Sequence, residues 1–420
     1  MEDNLEIVPP ESVGLSAARL QRLDAGMQRY VDRGQVAGLV TLLARRGRVA
    51  HLGVYGQMDL AAARPMRADA IFRLFSMTKP ITSLAVLMLY EEGHFHLQYP
   101  ISLFIPVFND LKVLQNQLDA HSERVALARP ITIHDLLTHT SGLGYGLDAL
   151  TPVDTLFLQA KMLRMDESLA EKMTRLAQFP LHHQPGLRYT YSIATDVLGR
   201  LVEIVSGMPL DAFCQQRLFE PLGMADTGFY VPAEKRERLA VMYTPAPNGA
   251  LPSPPGRGQV RGALVDMSTF DSALLPHFMA GAWINKEEKP QFLSGGGGLV
   301  STAADYLRFV MLLRNQGELD GVRLVSRKTI ELMTSPHLRQ EQFFVNGCSY
   351  GLGLTVLTDP ARAQMLGSAG AYGGGGAAST DFWVDPQEDL LGILMVQYAS
   401  YTPLALGMDF KVLAAQAIMD

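Results

Sequence analysis

Two strand–turn–strand segments stand at opposite ends of this chain, and they constrain its fold more than any other feature. The first, "AGLVTLLARRGRVAHLGVYG" (37–56), carries two apolar runs around an Arg46–Gly47 turn. The second joins "STDFWV" to "DLLGILMVQY" across the polar turn "DPQE". A lone hairpin leaves an apolar face and two open edges, so the two segments have to share a sheet. Between them helix signals dominate. One helix begins near Ser76 and stops at Gly93, a position suited to a left-handed cap. Pro80 then falls in the first turn, where a missing N–H does least harm. A second, "SIATDVLGRLVEIVSG", ends at Gly207, and Thr302 with Asp305 resembles a capping box ahead of "YLRFVMLLRNQG". An amphipathic stretch, "ALGMDFKVLAAQAIM", closes the chain.

The expected fold class is therefore α+β: one antiparallel sheet formed from both termini, flanked by helices, with a mostly helical insertion. As a single unit over 1–420, the α/β part takes about 1–90 and 290–420 and the insertion about 91–289. The Pro- and Gly-rich stretch 245–262 reads as a loop forming a rim over a site.

Bulk properties exclude several function classes. A net charge of −6 over 420 residues, with no basic run, argues against nucleic acid as a partner. No apolar run approaches a membrane span, and the acidic start shows no apolar signal region. Two distant cysteines, Cys214 and Cys348, suit a reducing compartment better than a disulfide framework. The expectation is a cytoplasmic protein with no metal and no cofactor; no feature specifies its oligomeric state.

The stretch "IFRLFSMTKPITSLAVLMLYEEG" (71–93) carries the chemistry. Ser76 and Lys79 are spaced i, i+3, so a helix puts them on one face. A lysine in apolar surroundings binds its proton less tightly, and a neutral amine beside a serine can act as its base. The N–H groups of a helix start also favour an oxyanion. The plainer alternative is an N-cap serine with a snorkelling lysine, and this stretch alone does not separate the two.

Other phrases do. "PGLRYTYSIATDVLGRLVE" sets Tyr191 just before a helix, and "ITIHDLLTHTSGL" (131–143), "EPLGMADTGF" (220–229) and "GGGGLVSTAADYLRF" (295–309) follow in a distinctive order. With "SMTK" they resemble the serine β-lactamase-like superfamily, most nearly the family VIII carboxylesterases. That resemblance implies Ser76 as the acylated nucleophile, Lys79 as its proton acceptor or orienting partner, and Tyr191 as a proton shuttle. A phenol, with a pKa of about 10, shuttles protons only beside a cation, which makes Lys79 and Tyr191 one coupled unit.

Where the peptidases and lactamases carry Asn, this chain has Ile193, which removes a contact for an amide-bearing substrate and a partner for Lys79. Their Lys-Thr-Gly motif falls on Gly374, Gly375 and Gly376, with Ala377 N–H as the oxyanion donor beside that of Ser76. A shifted register would use Tyr372 as the motif's aromatic residue. With no cation at 374, a substrate carboxylate is poorly matched and a neutral ester fits better. The resemblance thus implies a serine hydrolase of short-to-medium-chain carboxylic esters. An acyltransferase, a β-lactamase or peptidase on the same site, and a catalytically silent binding module are the alternatives. His134, His139, His182 and His183 read as structural, because no G-x-S-x-G elbow accompanies them. Asp196 and Asp305 read as helix-start carboxylates.

Overall fold

A computed structural model describes residues 5–119, 121–146, 151–245, 264–269, 286–343, 345–400 and 404–420. The loop expected at 245–262 therefore lies, after Pro245, outside the described residues.

Both terminal hairpins form. β1 (Gly38–Arg45) and β2 (Arg48–Asp59) meet at Arg46 and Gly47, whose φ values of +54° and +75° are those a two-residue hairpin turn demands. β3 (Arg64–Pro65) pairs on the far side of β2. From the other end of the chain come β4 (Cys348–Tyr350), β5 (Thr355–Leu357), β6 (Tyr372–Gly375), β7 (Asp381–Asp385) and β8 (Leu390–Val396). The order across the sheet is β4-β5-β6-β7-β8-β1-β2-β3, with each neighbouring pair antiparallel. β1 and β8 join the two ends of the chain, from Leu39 opposite Val396 to Arg45 opposite Leu390. All eight residues of β1 are buried, because the sheet is covered on both faces and its central strand alternates between two cores. This is the expected α+β arrangement, with a large antiparallel sheet between helical layers.

One face is covered by α1 (Ala17–Asp32) and, from the C-terminus, by the helix Leu406–Ala415; Leu23, Met27, Leu39, Leu43, Leu394 and Phe410 interlock there. The other, with Val40, Leu42, Phe382 and Ile393, is covered by the more C-terminal Ala303–Arg314, in a core that α2 (Thr78–Glu91) shares. α2 is buried almost all round, which its run of apolar residues requires. Pro80 is its third residue, and Gly93, at φ +84°, follows its end. Ahead of Ala303, Thr302 accepts from Asp305 N–H at 3.1 Å, while the Asp305 carboxylate accepts instead from Asp226 N–H and the Thr227 hydroxyl. Asp305 thus ties two segments together rather than closing a reciprocal box.

Arg45 locks the termini. Its buried guanidinium donates to Val13 O at 3.2 Å, Gly14 O at 2.8 Å and Glu388 O at 3.0 Å, and pairs with Asp420 at 2.6 Å. Replacing it strands three backbone carbonyls, each worth about 1–3 kcal/mol if buried without a donor. Arg45→Ala is expected to lower unfolding free energy by about 2 kcal/mol or more in urea titration. A loss below about 0.5 kcal/mol, the range of ordinary surface substitutions, contradicts this account of the lock.

Candidate active site

Ser76 sits in a 3-10 turn, Phe75–Met77, that leads into α2. Phe75 precedes it with φ +46°, a left-handed conformation that a bulky L-residue adopts only under constraint. The constraint is visible on both sides. Leu74 N–H donates to Leu299 O at 2.9 Å, the Tyr306 hydroxyl holds Met77 O at 3.0 Å, and Thr78 accepts from Leu299 N–H at 3.2 Å. Such a kink is worth about 1–3 kcal/mol of strain, and it turns Ser76 out of the core that swallows Phe75 and Met77.

Lys79 lies one helical turn further, only 1% exposed. Its Nζ is 2.7 Å from Gly296 O, 3.2 Å from Ser76 Oγ and 3.4 Å from the Tyr145 hydroxyl. The Tyr191 hydroxyl approaches Ser76 Oγ to 2.5 Å, and its ring lies 4.6 Å from Nζ. Ser76, Lys79 and Tyr191 thus converge from two elements, the turn before α2 and the coil before the helix Ala194–Ser206.

Two further residues complete the cluster: Tyr145, not singled out in the sequence, and Asp196, read there only as a helix-start carboxylate. Tyr145 stacks on Tyr191 with ring centres 5.5 Å apart, and burial, with Asp196 adding, pushes its phenol well above the usual range. A tyrosine between Gly144 and Gly146 in an aperiodic stretch was the signal available. Asp196, fully buried in the first turn of its helix, makes no capping bond: one oxygen accepts from Ser294 Oγ at 2.6 Å and Gly296 N–H at 3.1 Å. Its second oxygen, Oδ2, has no hydrogen-bond partner among the described residues. Burial raises its pKa, against the pull of Ser294, Gly296, Lys79 and Lys172. Asp196 thereby fixes the turn whose carbonyl holds Lys79, and Thr82 grips the same turn through Gly295 O at 2.8 Å.

Ile193 and Tyr372 are placed differently from the sequence reading. Ile193 is fully buried in the core, with its N–H on Gly144 O at 3.1 Å, so its side chain presents nothing to a substrate. Lys79 nonetheless has a further polar partner, because Tyr145 reaches it from the neighbouring segment. Tyr372 is 4% exposed and packs in the same core, which removes it as a pocket aromatic. Gly374 faces the Phe382 ring across β6 and β7, and Cε1 of that ring lies 3.8 Å from where a Cβ would stand. Gly375 is exposed, and Gly376 is pressed on Leu74 so closely that a Cβ would lie 2.2 Å from its carbonyl oxygen. Its N–H bonds Thr380 O at 2.8 Å, and partly buried Ala377 follows in the turn.

Among the described residues, His134, His139, His182 and His183 bond to partners other than Ser76. His139 lies beneath Tyr191, bonded to Ser192, and burial with Lys79 nearby holds it well below its ordinary pKa. His134 meets His337, His182 lies near Asp154 and His183 contacts Thr190. No cluster of three or more metal-ligating side chains occurs among the described residues.

Residues 23–417 match the Beta-lactamase family. The chain belongs to that family. Among its Beta-lactamase-family relatives, Protein Rv1367c of Mycobacterium tuberculosis is 36% identical over 94% of this chain and 92% of its own length. Esterase EstB of Burkholderia gladioli is 35% identical over 93% of both. In three dimensions the chain resembles EstCE1, described as a hydrolase with promiscuous acyltransferase activity, with a TM-score of 0.75 and 28% identity over 94% of this chain and 98% of that one.

Gly296 tests the positioning network of this family member. A Cβ there would lie 2.8 Å from the Tyr145 hydroxyl and 3.0 Å from Asp196 Oδ2. Gly296→Ala is expected to slow phosphonylation of Ser76 by a fluorophosphonate by about tenfold to 10²-fold, with circular dichroism unchanged. An unchanged rate contradicts the role given to this turn.

Proposed function

We propose that this protein is a serine hydrolase that cleaves short-to-medium-chain carboxylic esters through a Ser76 acyl-enzyme. The observation that carries this reading is Ser76 Oγ lying 2.5 Å from the Tyr191 hydroxyl and 3.2 Å from Lys79 Nζ. Ser76 Oγ attacks the ester carbonyl while its proton passes to the Lys79–Tyr191 unit. The carbonyl oxygen becomes an oxyanion that takes N–H bonds from Ser76 and Ala377. Collapse breaks the acyl C–O bond, and the departing alkoxide collects the proton through Tyr191. Water then repeats the sequence on the acyl-enzyme, releasing the acid and restoring Ser76. The Ala377 role is supported by Gly376, whose contact with Leu74 brings the strand end to the Ser76 turn.

Two features support esters over lactams or D-amino-acid peptides. No lysine or arginine stands on 372–380 to receive a substrate carboxylate, and the position two after Tyr191 is an aliphatic side chain sealed in the core. The 35% identity to an esterase agrees with this preference. An acyltransferase using an alcohol in place of water is the second reading, favoured by the likeness to EstCE1. The unit 1–420, with its insertion at about 91–289, is proposed to act as a whole, since Tyr145, Tyr191 and Asp196 come from the insertion. Cys214 and Cys348 are both free, which supports the cytoplasmic assignment, and no helix among the described residues is long and apolar enough to cross a membrane.

A panel of p-nitrophenyl esters beside nitrocefin tests the reading: ester turnover should exceed nitrocefin turnover, and the reverse ranking overturns it. Tyr191→Phe should lower ester kcat by about 10²-fold or more, the usual loss for an acid–base group. Near-normal kcat contradicts the shuttle. Gly374→Trp adds bulk beside Phe382, so preference should move toward shorter acyl chains in the same panel. An unaltered chain-length profile shows that 374 does not border the acyl pocket.

A further inference from the structure

A proton shuttle works only where its hydroxyl is held in place, and Tyr191 stands in coil ahead of the helix Ala194–Ser206, with no helical bonds to fix it. His139, a residue the proposed reaction does not use, grips three consecutive residues there. Its carbonyl accepts from Thr190 N–H at 2.8 Å. Its ring lies beneath the Tyr191 ring, with centres 5.0 Å apart, and its Nδ1 is 3.1 Å from Ser192 Oγ. Ser192 Oγ also accepts from Ala194 N–H at 3.3 Å, so the same contact reaches the first turn of the helix.

The imidazole is itself fixed. It is 1% exposed, and the rings of Tyr189 and Tyr350 wall it in, with centres 5.7 Å and 5.4 Å away. Aromatic pairs at such spacings add about 0.5–1.5 kcal/mol beyond burial. The His139 backbone is left-handed, at φ +55°, a conformation that costs a non-glycine residue about 1–3 kcal/mol. Strain of this kind persists where the surroundings over-determine it. Here both the backbone and the ring of one residue are committed to the Tyr191 segment.

Histidine suits the position for two reasons. Its flat ring underlies the phenol as phenylalanine would, yet it keeps a polar edge for Ser192. Burial and the nearby Lys79 amine also hold its pKa well below the ordinary value, so it adds no second cation beside Lys79.

We propose that His139 is a positioning residue that holds the Tyr191 hydroxyl against Ser76 Oγ, 2.5 Å away. This rests on the Ser76 acyl-enzyme reading and adds to it the residue that orients the shuttle. His139 acts through Tyr191 and takes no proton itself.

A double-mutant cycle tests the assignment. Asparagine tolerates left-handed backbone, and its amide still reaches toward Ser192, so His139→Asn chiefly removes the ring. It should lower p-nitrophenyl ester kcat by about tenfold or more, with KM within about threefold and circular dichroism unchanged. In a Tyr191→Phe background the same substitution should cost less than about twofold, because the group it positions is already gone. Fluorophosphonate labelling of Ser76 should follow the same pattern. If His139→Asn does not fold, Ser192→Ala, which frees the ring's polar edge, should likewise slow the enzyme only where Tyr191 is present. Parental kcat in folded His139→Asn overturns the proposal. An equal fold-loss in both backgrounds also overturns it, since that marks a merely structural residue. If the parent cleaves no ester, the hydrolase reading fails by itself, and the labelling rates decide for His139. Near-parental rates in Tyr191→Phe remove the shuttle and its positioning residue together.

Discussion

The buried amine of Lys79 is the group on which the rest of the site depends. An amine removed from water has to be surrounded by oxygen acceptors, and the structure supplies Gly296 O, Ser76 Oγ and the Tyr145 hydroxyl. Each comes from a different segment. Gly296 is held by Asp196 at the start of the helix Ala194–Ser206, Tyr145 is stacked on Tyr191, and Ser76 is fixed by its own strained turn. Satisfying one nitrogen therefore locks four stretches of chain in register and delivers the Tyr191 hydroxyl to Ser76.

The sheet makes that convergence possible. Its central pair, β1 and β8, sews the ends of the chain together, and Arg45 bolts the N-terminal hairpin to Asp420. With the sheet fixed, β6 ends where Gly376 packs on Leu74, so the left-handed Phe75 has nowhere to relax. Strain at the residue before Ser76 is thus held by packing on both sides, which is how such a kink survives in a folded protein.

Much of this was legible in the sequence because it was periodic or punctuated. The hairpins declared themselves through Arg46–Gly47 and "DPQE", and Ser76 with Lys79 through helical spacing. Tyr191 was named by the resemblance to the serine β-lactamase-like superfamily, and the structure brings its hydroxyl to Ser76. Tyr145 was not, since an aperiodic coil gives no periodicity to read, and its partner is 66 residues away in the chain. Asp196 looked like a helix-start carboxylate and is one; its second duty depends on Ser294 and Gly296, which only folding brings to it. Ile193 and Tyr372 were misplaced for a related reason. Proximity in sequence to a site does not say which way a side chain faces, and both face the core.

The central claim, that Lys79 and Tyr191 make Ser76 a nucleophile, is tested most directly by trapping the acyl-enzyme. Mixing the protein with a p-nitrophenyl ester, quenching within a turnover and mapping peptides by mass spectrometry should place the acyl group on Ser76. Ser76→Ala should show neither that adduct nor ester turnover above background. An acyl group on another residue, or parental turnover by Ser76→Ala, would contradict the account.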